Sequence, residues 1–145
     1  MFNKILCPVE LRNEPKKLLE TLADLCSKFN SSITLLHISE DFLNKDEMVM
    51  SRVSVKSVMD ENKEYAIKQR DLMGKLLLKY NFSADIVIHS GKAAEEIVKF
   101  SNNGGFDLIV IGDNGRHRIT DYLMGSTSFR VVNSVDCSVL VVSNR

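Results

Sequence analysis

The sequence predicts an α/β fold, a doubly wound five-stranded parallel sheet with helices on both faces. Three observations carry this expectation. Leu108, Ile109, Val110 and Ile111 form an unbroken apolar run, and Ile33–Ile38 is nearly as continuous apart from His37, which suits strands covered on both faces. The stretches between such runs carry apolar residues at helical spacing. The resulting alternation β-α-β-α-β-α-β-α-β calls for right-handed crossovers and a parallel sheet.

Taken in order, Lys4–Val9 reads as the first strand, with Pro8 near its end, where a missing N–H is tolerated. A helix follows whose first turn holds Glu14 and Pro15, with Asn13 or Glu14 as N-cap. Leu18, Leu22, Leu25, Cys26 and Phe29 give it one apolar face, and Asn30-Ser31-Ser32 ends it. After the second strand, Ile33–Ile38, the periodicity weakens. Ser39 to Asn62 reads as a partly ordered crossover with room for a short helix.

From Glu61 to Tyr80 a long amphipathic helix is marked by Tyr65, Ala66, Leu72, Met73, Leu76, Leu77 and Tyr80, weakened slightly by Gly74. Ala84–His89 is the third strand. Ser90-Gly91 opens a helix with Ala93, Ala94, Ile97, Val98 and Ser101 on one face, and Asn102-Asn103-Gly104-Gly105 stops it. The fourth strand ends at Gly112, the last helix runs from about Ser126 to Val135, and Ser138–Val142 is the final strand.

At 145 residues the chain has the size of one domain. Hydrophobic residues make up 44% and charged residues 26%, as in a soluble globular protein. No apolar run approaches the roughly 20 residues that span a bilayer, and Met1 leads almost directly into the first strand, so the protein is expected in the cytoplasm, away from membranes. Nineteen basic and nineteen acidic residues cancel, which removes the electrostatic footprint of a general nucleic-acid binder. Cys7, Cys26 and Cys137 lie far apart without a C-x-x-C pair, against zinc and against a disulfide framework.

Chemistry concentrates in Asp107–Ser128. The apolar strand meets Gly112, Gly115 follows, then a loop with Arg116, His117 and Arg118, then Gly125 with Ser126, Thr127 and Ser128 at a helix start. Glycines admit close approach of backbone amides to an anion, and a helix start adds unpaired N–H groups, a favourable dipole and the hydroxyls of Ser126 and Ser128. Other phosphate-binding patterns are missing. There is no G-x-x-x-x-G-K-S/T, no G-x-G-x-x-G after the first strand, and none of the paired acids, aspartate and lysine of a phosphoreceiver domain. Tyr122 is the one loop aromatic near the motif for flavin stacking.

The stretch Gly112-x2-Gly115-x9-Gly125-Ser126 resembles the motif of the universal stress protein family in its ATP-binding branch. The resemblance extends to KILCPVE, ITLLHIS, SGKAAEEIVKF and SVLVVS, and leaves about Asp41 to Asp60 without a counterpart. It implies one nucleotide-binding domain over residues 1–145 and strand order 3-2-1-4-5, with a ligand crevice between strands one and four where Glu10 and Gly112 lie. It further implies ATP as ligand, with Mg2+, phosphates held by Gly112, Gly115, Gly125 and Ser126, and a homodimer built on the last strand at Val139–Val142.

By the same resemblance Ile38 packs on adenine, Ile111 lines the pocket, and Glu10 stands where the family has an aspartate that contacts the ribose. Glu10 retains the carboxylate but moves its oxygens by about 1.5 Å, and a solvated strand-end acid is an equal reading of it. Arg116, directly after Gly115, is the basic residue expected to touch phosphate, adding to the ~0.3–1 kcal/mol of an exposed helix dipole. The expected function is a nucleotide-responsive stress regulator. The alternatives are an ATPase, slow for want of a general base beside an arginine clamp, and a nucleotide-free dimerising module.

Overall fold

The computed structural model describes residues 1–39, 55–113 and 126–143. The strands are β1 (Lys4–Pro8), β2 (Ser32–Ser39), β3 (Asp85–Ser90), β4 (Leu108–Asp113) and β5 (Ser138–Ser143). Among the described residues the helices are α1 (Lys16–Phe29), α2 (Val55–Tyr80), α3 (Ala93–Gly104) and α4 (Ser126–Ser134). All strand pairs are parallel, in the order β3-β2-β1-β4-β5. The predicted doubly wound sheet is therefore the observed one.

Two buried layers sandwich the sheet because successive side chains of a strand point to opposite faces. On one face Ile5, Cys7, Ile33, Leu35 and Val110 pack with Leu19 and Leu22 of α1 and Met73 of α2. On the other, Leu6, Leu36, Ile109 and Ile111 pack with Ile97 of α3 and Val131 of α4. Leu19 is fully buried although the helical pattern passed over it. Phe29 and Leu72, assigned to apolar faces, are each 39% exposed. Phe29 instead meets Phe2 edge-on, ring centroids 5.5 Å apart. Burial raises the Cys7 thiol far above its ordinary value, which leaves it an inert core hydrophobe.

Several element ends differ from the sequence expectation, each for a local reason. α1 begins at Lys16 with Pro15 at the cap position and no side-chain cap, so neither Asn13 nor Glu14 caps it. Glu14 instead engages Lys79 of α2 at 2.7 Å. Asn30 adopts the left-handed conformation, φ 53°, and its N–H returns to the Cys26 carbonyl, which ends α1. α2 starts at Val55, six residues before Glu61, so the end of the expected Ser39–Asn62 crossover is helical while 40–54 lie outside the described residues.

α3 continues through Asn102 and Asn103, with Gly105 in the left-handed conformation just beyond it. Asn102 stays helical while its side chain bridges to the end of α4: Nδ2 donates to the Ser134 carbonyl and Oδ1 accepts from the Asp136 N–H. β4 does not stop at Gly112. It pairs on, Gly112 with Val142 and Asp113 with Ser143.

Candidate functional site

The geometry that matters is a parting between β1 and β4. Each strand keeps its outer neighbour over its full length, β1 from Lys4↔Ser32 to Pro8↔Leu36 and β4 from Leu108↔Ser138 to Asp113↔Ser143. With each other they pair only at Ile5↔Leu108 and Leu6↔Ile109. Pro8 supplies a reason. The Val9 N–H points to β2, where it donates to the Leu36 carbonyl at 2.9 Å, so the alternating position 8 faces β4. Proline has no N–H to offer there. The ladder thus lapses at the carboxyl ends of the two strands on either side of the topological switch, the place where an open α/β sheet accepts ligands.

β4 brings its motif residues to this gap. Ile111 is buried, Gly112 half-buried, and Asp113 buried at 6% exposure as the last residue of the strand. α4 returns from the other side. Its first residue, Ser126, is exposed, Thr127 is half-buried and Ser128 is buried. The Ser128 hydroxyl donates to the Gly112 carbonyl at 3.2 Å, so the two ends of the glycine motif are held together. Gly115, Arg116, His117, Arg118, Tyr122 and Gly125 lie outside the described residues.

Glu10 is exposed just beyond the end of β1. Ile38, near the end of β2, is half-buried and packs on the same apolar layer as Ile111. The described part of the expected site therefore comprises an exposed carboxylate, two aliphatic side chains on one face, a half-buried glycine and a hydroxyl-bearing helix start. This donor set fits a nucleotide: apolar surface for a base, an acceptor for ribose hydroxyls and N–H groups for an anion. Cavities of about 570 and 580 Å³ also occur, one between α3 and β3 beside Lys99 and Phe100, the other near Asn30 and Asn81, and neither includes these residues.

His37 interrupts the apolar run of β2, and the structure supplies its ring with two hydrogen-bond partners. The ring, 8% exposed, bridges from the face opposite Ile38: Nδ1 lies 3.0 Å from the Val9 carbonyl oxygen and Nε2 2.9 Å from the Tyr65 hydroxyl of α2. A carbonyl oxygen only accepts, so Nδ1 carries a proton, and in the neutral ring Nε2 then accepts from the phenol. The signal was present in the sequence as the one ionisable residue in an apolar strand, but its partners come from distant segments. His89, the other strand-end histidine, packs edge-on against Phe100 at 5.2 Å.

Among the described residues no cluster of three or more His, Cys, Asp or Glu could hold a metal ion, and no helix is long and apolar enough to cross a membrane.

Comparison with known proteins agrees with the fold. The universal stress protein family matches residues 1–143. The chain is 30% identical over 145 residues to universal stress protein A homolog 2 of Coxiella burnetii, covering 97% of this chain and 94% of that protein. It is 26% identical over 157 residues to universal stress protein MJ0577 of Methanocaldococcus jannaschii, covering 100% and 97%. The solved structure of MJ0577 superposes with a TM-score of 0.75 over 100% of this chain and 98% of that one, at 24% identity. A universal stress protein in complex with cAMP gives 0.68 at 15% identity, covering 97% and 96%. An Arabidopsis thaliana family member with AMP bound gives 0.58 at 17%, covering 99% and 92%.

Proposed function

Because the chain belongs to the universal stress protein family, we propose that residues 1–145 act as one nucleotide-binding domain of its ATP-binding branch, a regulator that responds to adenine nucleotide. The observation that carries this is the Ser128–Gly112 hydrogen bond across the glycine motif, beside the lapsed β1–β4 ladder. Relatives solved with AMP and with cAMP support an adenine nucleotide as the ligand class.

In this reading Ile38 and Ile111 take the base, Glu10 the ribose hydroxyls, and Gly112, Gly115, Gly125, Ser126, Thr127 and Ser128 surround the phosphates. Arg116 adds positive charge, and Mg2+ accompanies ATP through phosphate oxygens and water, as this hard ion prefers. The three free thiols suit a reducing compartment, and we propose a cytoplasmic location for the regulator. We further propose a homodimer through the β5 edge at Val139–Val142.

The test is to acid-quench the purified protein and identify the released nucleotide by chromatography. ATP at a stoichiometry near one per chain supports the proposal. Protein purified without nucleotide, which then takes up none of ATP, ADP or AMP at millimolar concentration, removes it and leaves the dimerising module.

A further inference from the structure

Val9 is the hinge between β1 and the exposed Glu10, and both of its backbone polar groups are tied to β2. Its N–H donates to the Leu36 carbonyl at 2.9 Å and its carbonyl accepts from His37 Nδ1 at 3.0 Å. The second tie is unusual, because beyond the strand end a side chain takes over the role of a backbone donor. His37 is itself held, since Nε2 accepts from Tyr65 at 2.9 Å and the ring is 92% shielded, being 8% exposed. Tyr65 stands on α2 and turns the imidazole so that Nδ1 aims at Val9. A hydrogen-bonded chain of this kind strengthens each member by polarising the next.

The consequence falls on Glu10. A fixed Val9 oxygen sets the plane of the peptide that leads into Glu10 and so the point from which its side chain departs, which reduces the freedom an exposed glutamate loses on meeting a ligand. We propose that His37 is a positioning residue: by fixing the Val9 carbonyl it aims the Glu10 carboxylate into the β1–β4 crevice, with Tyr65 setting its ring. The inference rests on the assignment of Glu10 to the ribose.

Calorimetric titration with Mg2+-ATP tests it, using the full chain and the variants His37→Leu, His37→Asn, His37→Gln, Glu10→Ala and the double variant Glu10→Ala/His37→Leu. His37→Leu should weaken binding about tenfold, the cost of about 1.4 kcal/mol. His37→Asn, whose amide nitrogen can take the place of Nδ1, should recover most of it. His37→Gln, reaching toward Tyr65 instead, should not. In the Glu10→Ala background His37→Leu should cost nothing further, whereas a merely structural histidine would weaken both backgrounds alike.

Nitrogen NMR on the parent should show Nδ1 protonated and Nε2 bare. Should His37→Leu fail to fold, the comparison of Asn with Gln decides, and equal affinity of those two overturns the proposal. Parent-like binding by a folded His37→Leu, or an undiminished effect in the Glu10→Ala background, overturns this inference alone. A parent that binds no adenine nucleotide overturns the functional assignment and this inference with it.

Discussion

The Ser128 hydroxyl donates to the Gly112 carbonyl at 3.2 Å, fastening the first turn of α4 to the end of β4 across a sequence separation of 16 residues. Gly112 is thereby held on two sides, since it also pairs with Val142 of β5. This places the start of α4 beside the mouth of the β1–β4 gap.

Ser128→Ala removes that donor at a buried position. The net loss expected for one such bond is about 0.5–1.5 kcal/mol, read as a lower urea midpoint with an unchanged slope. An unchanged midpoint would show that the bond contributes nothing to fastening α4.

A second expectation concerns pH. Lys79 donates to both Glu14 carboxylate oxygens, at 2.7 and 3.0 Å, and this bonding holds Glu14 below its ordinary value of 4.5 and raises Lys79 above 10.5. A lowered carboxyl contributes stability present above its unfolded value and lost as pH falls through the folded one. A raised lysine contributes stability present below its unfolded value and lost as pH rises through the folded one. The pair therefore acts fully between those two ordinary values. Tyr80, raised by burial and then by its bond to Glu14, adds to the alkaline loss. Lys79→Met should return the Glu14 midpoint toward its ordinary value in a carboxyl-carbon NMR titration, and an unmoved midpoint would contradict the assignment. The groups are surface-exposed, so the effect on global stability should be small.

The fold was legible because its evidence is local. Ile33–Ile38 and Leu108–Ile111 announce buried strands by continuous apolar residues, and all five strands were found within about one or two residues of their observed ends. What was missed depends on distant partners. Gly112 ends an apolar run in sequence, yet its pairing with Val142 carries the strand onward. The loop-like Asn102 stays helical while its side chain binds Ser134 and Asp136. Val55–Asp60 has no clear apolar periodicity and is helical as the leading turns of α2. For the candidate site, the motif named its residues, but no motif could show that Pro8 faces β4, or that His37 reaches both Val9 and Tyr65.

The proposed dimer has its own test. β5 is the edge of the sheet, and its Leu140 is 38% exposed, an apolar edge that a second copy can cover. Sedimentation equilibrium at micromolar concentration should give twice the chain mass, and Leu140→Lys should return it to one. A monomeric parent would contradict the proposed assembly.

The central claim is that adenine nucleotide binds at the glycine motif beside the β1–β4 crevice, and titration calorimetry of the parent and Gly125→Glu with Mg2+-ATP tests it most directly. Glutamate beside the hydroxyl-bearing start of α4 would set a negative side chain against the phosphates and their N–H donors. One site per parent chain and a loss of at least about a hundredfold in a folded variant, roughly 2.7 kcal/mol, is the predicted result. A Gly125→Glu protein with parent-like circular dichroism that binds ATP as tightly as the parent would contradict it.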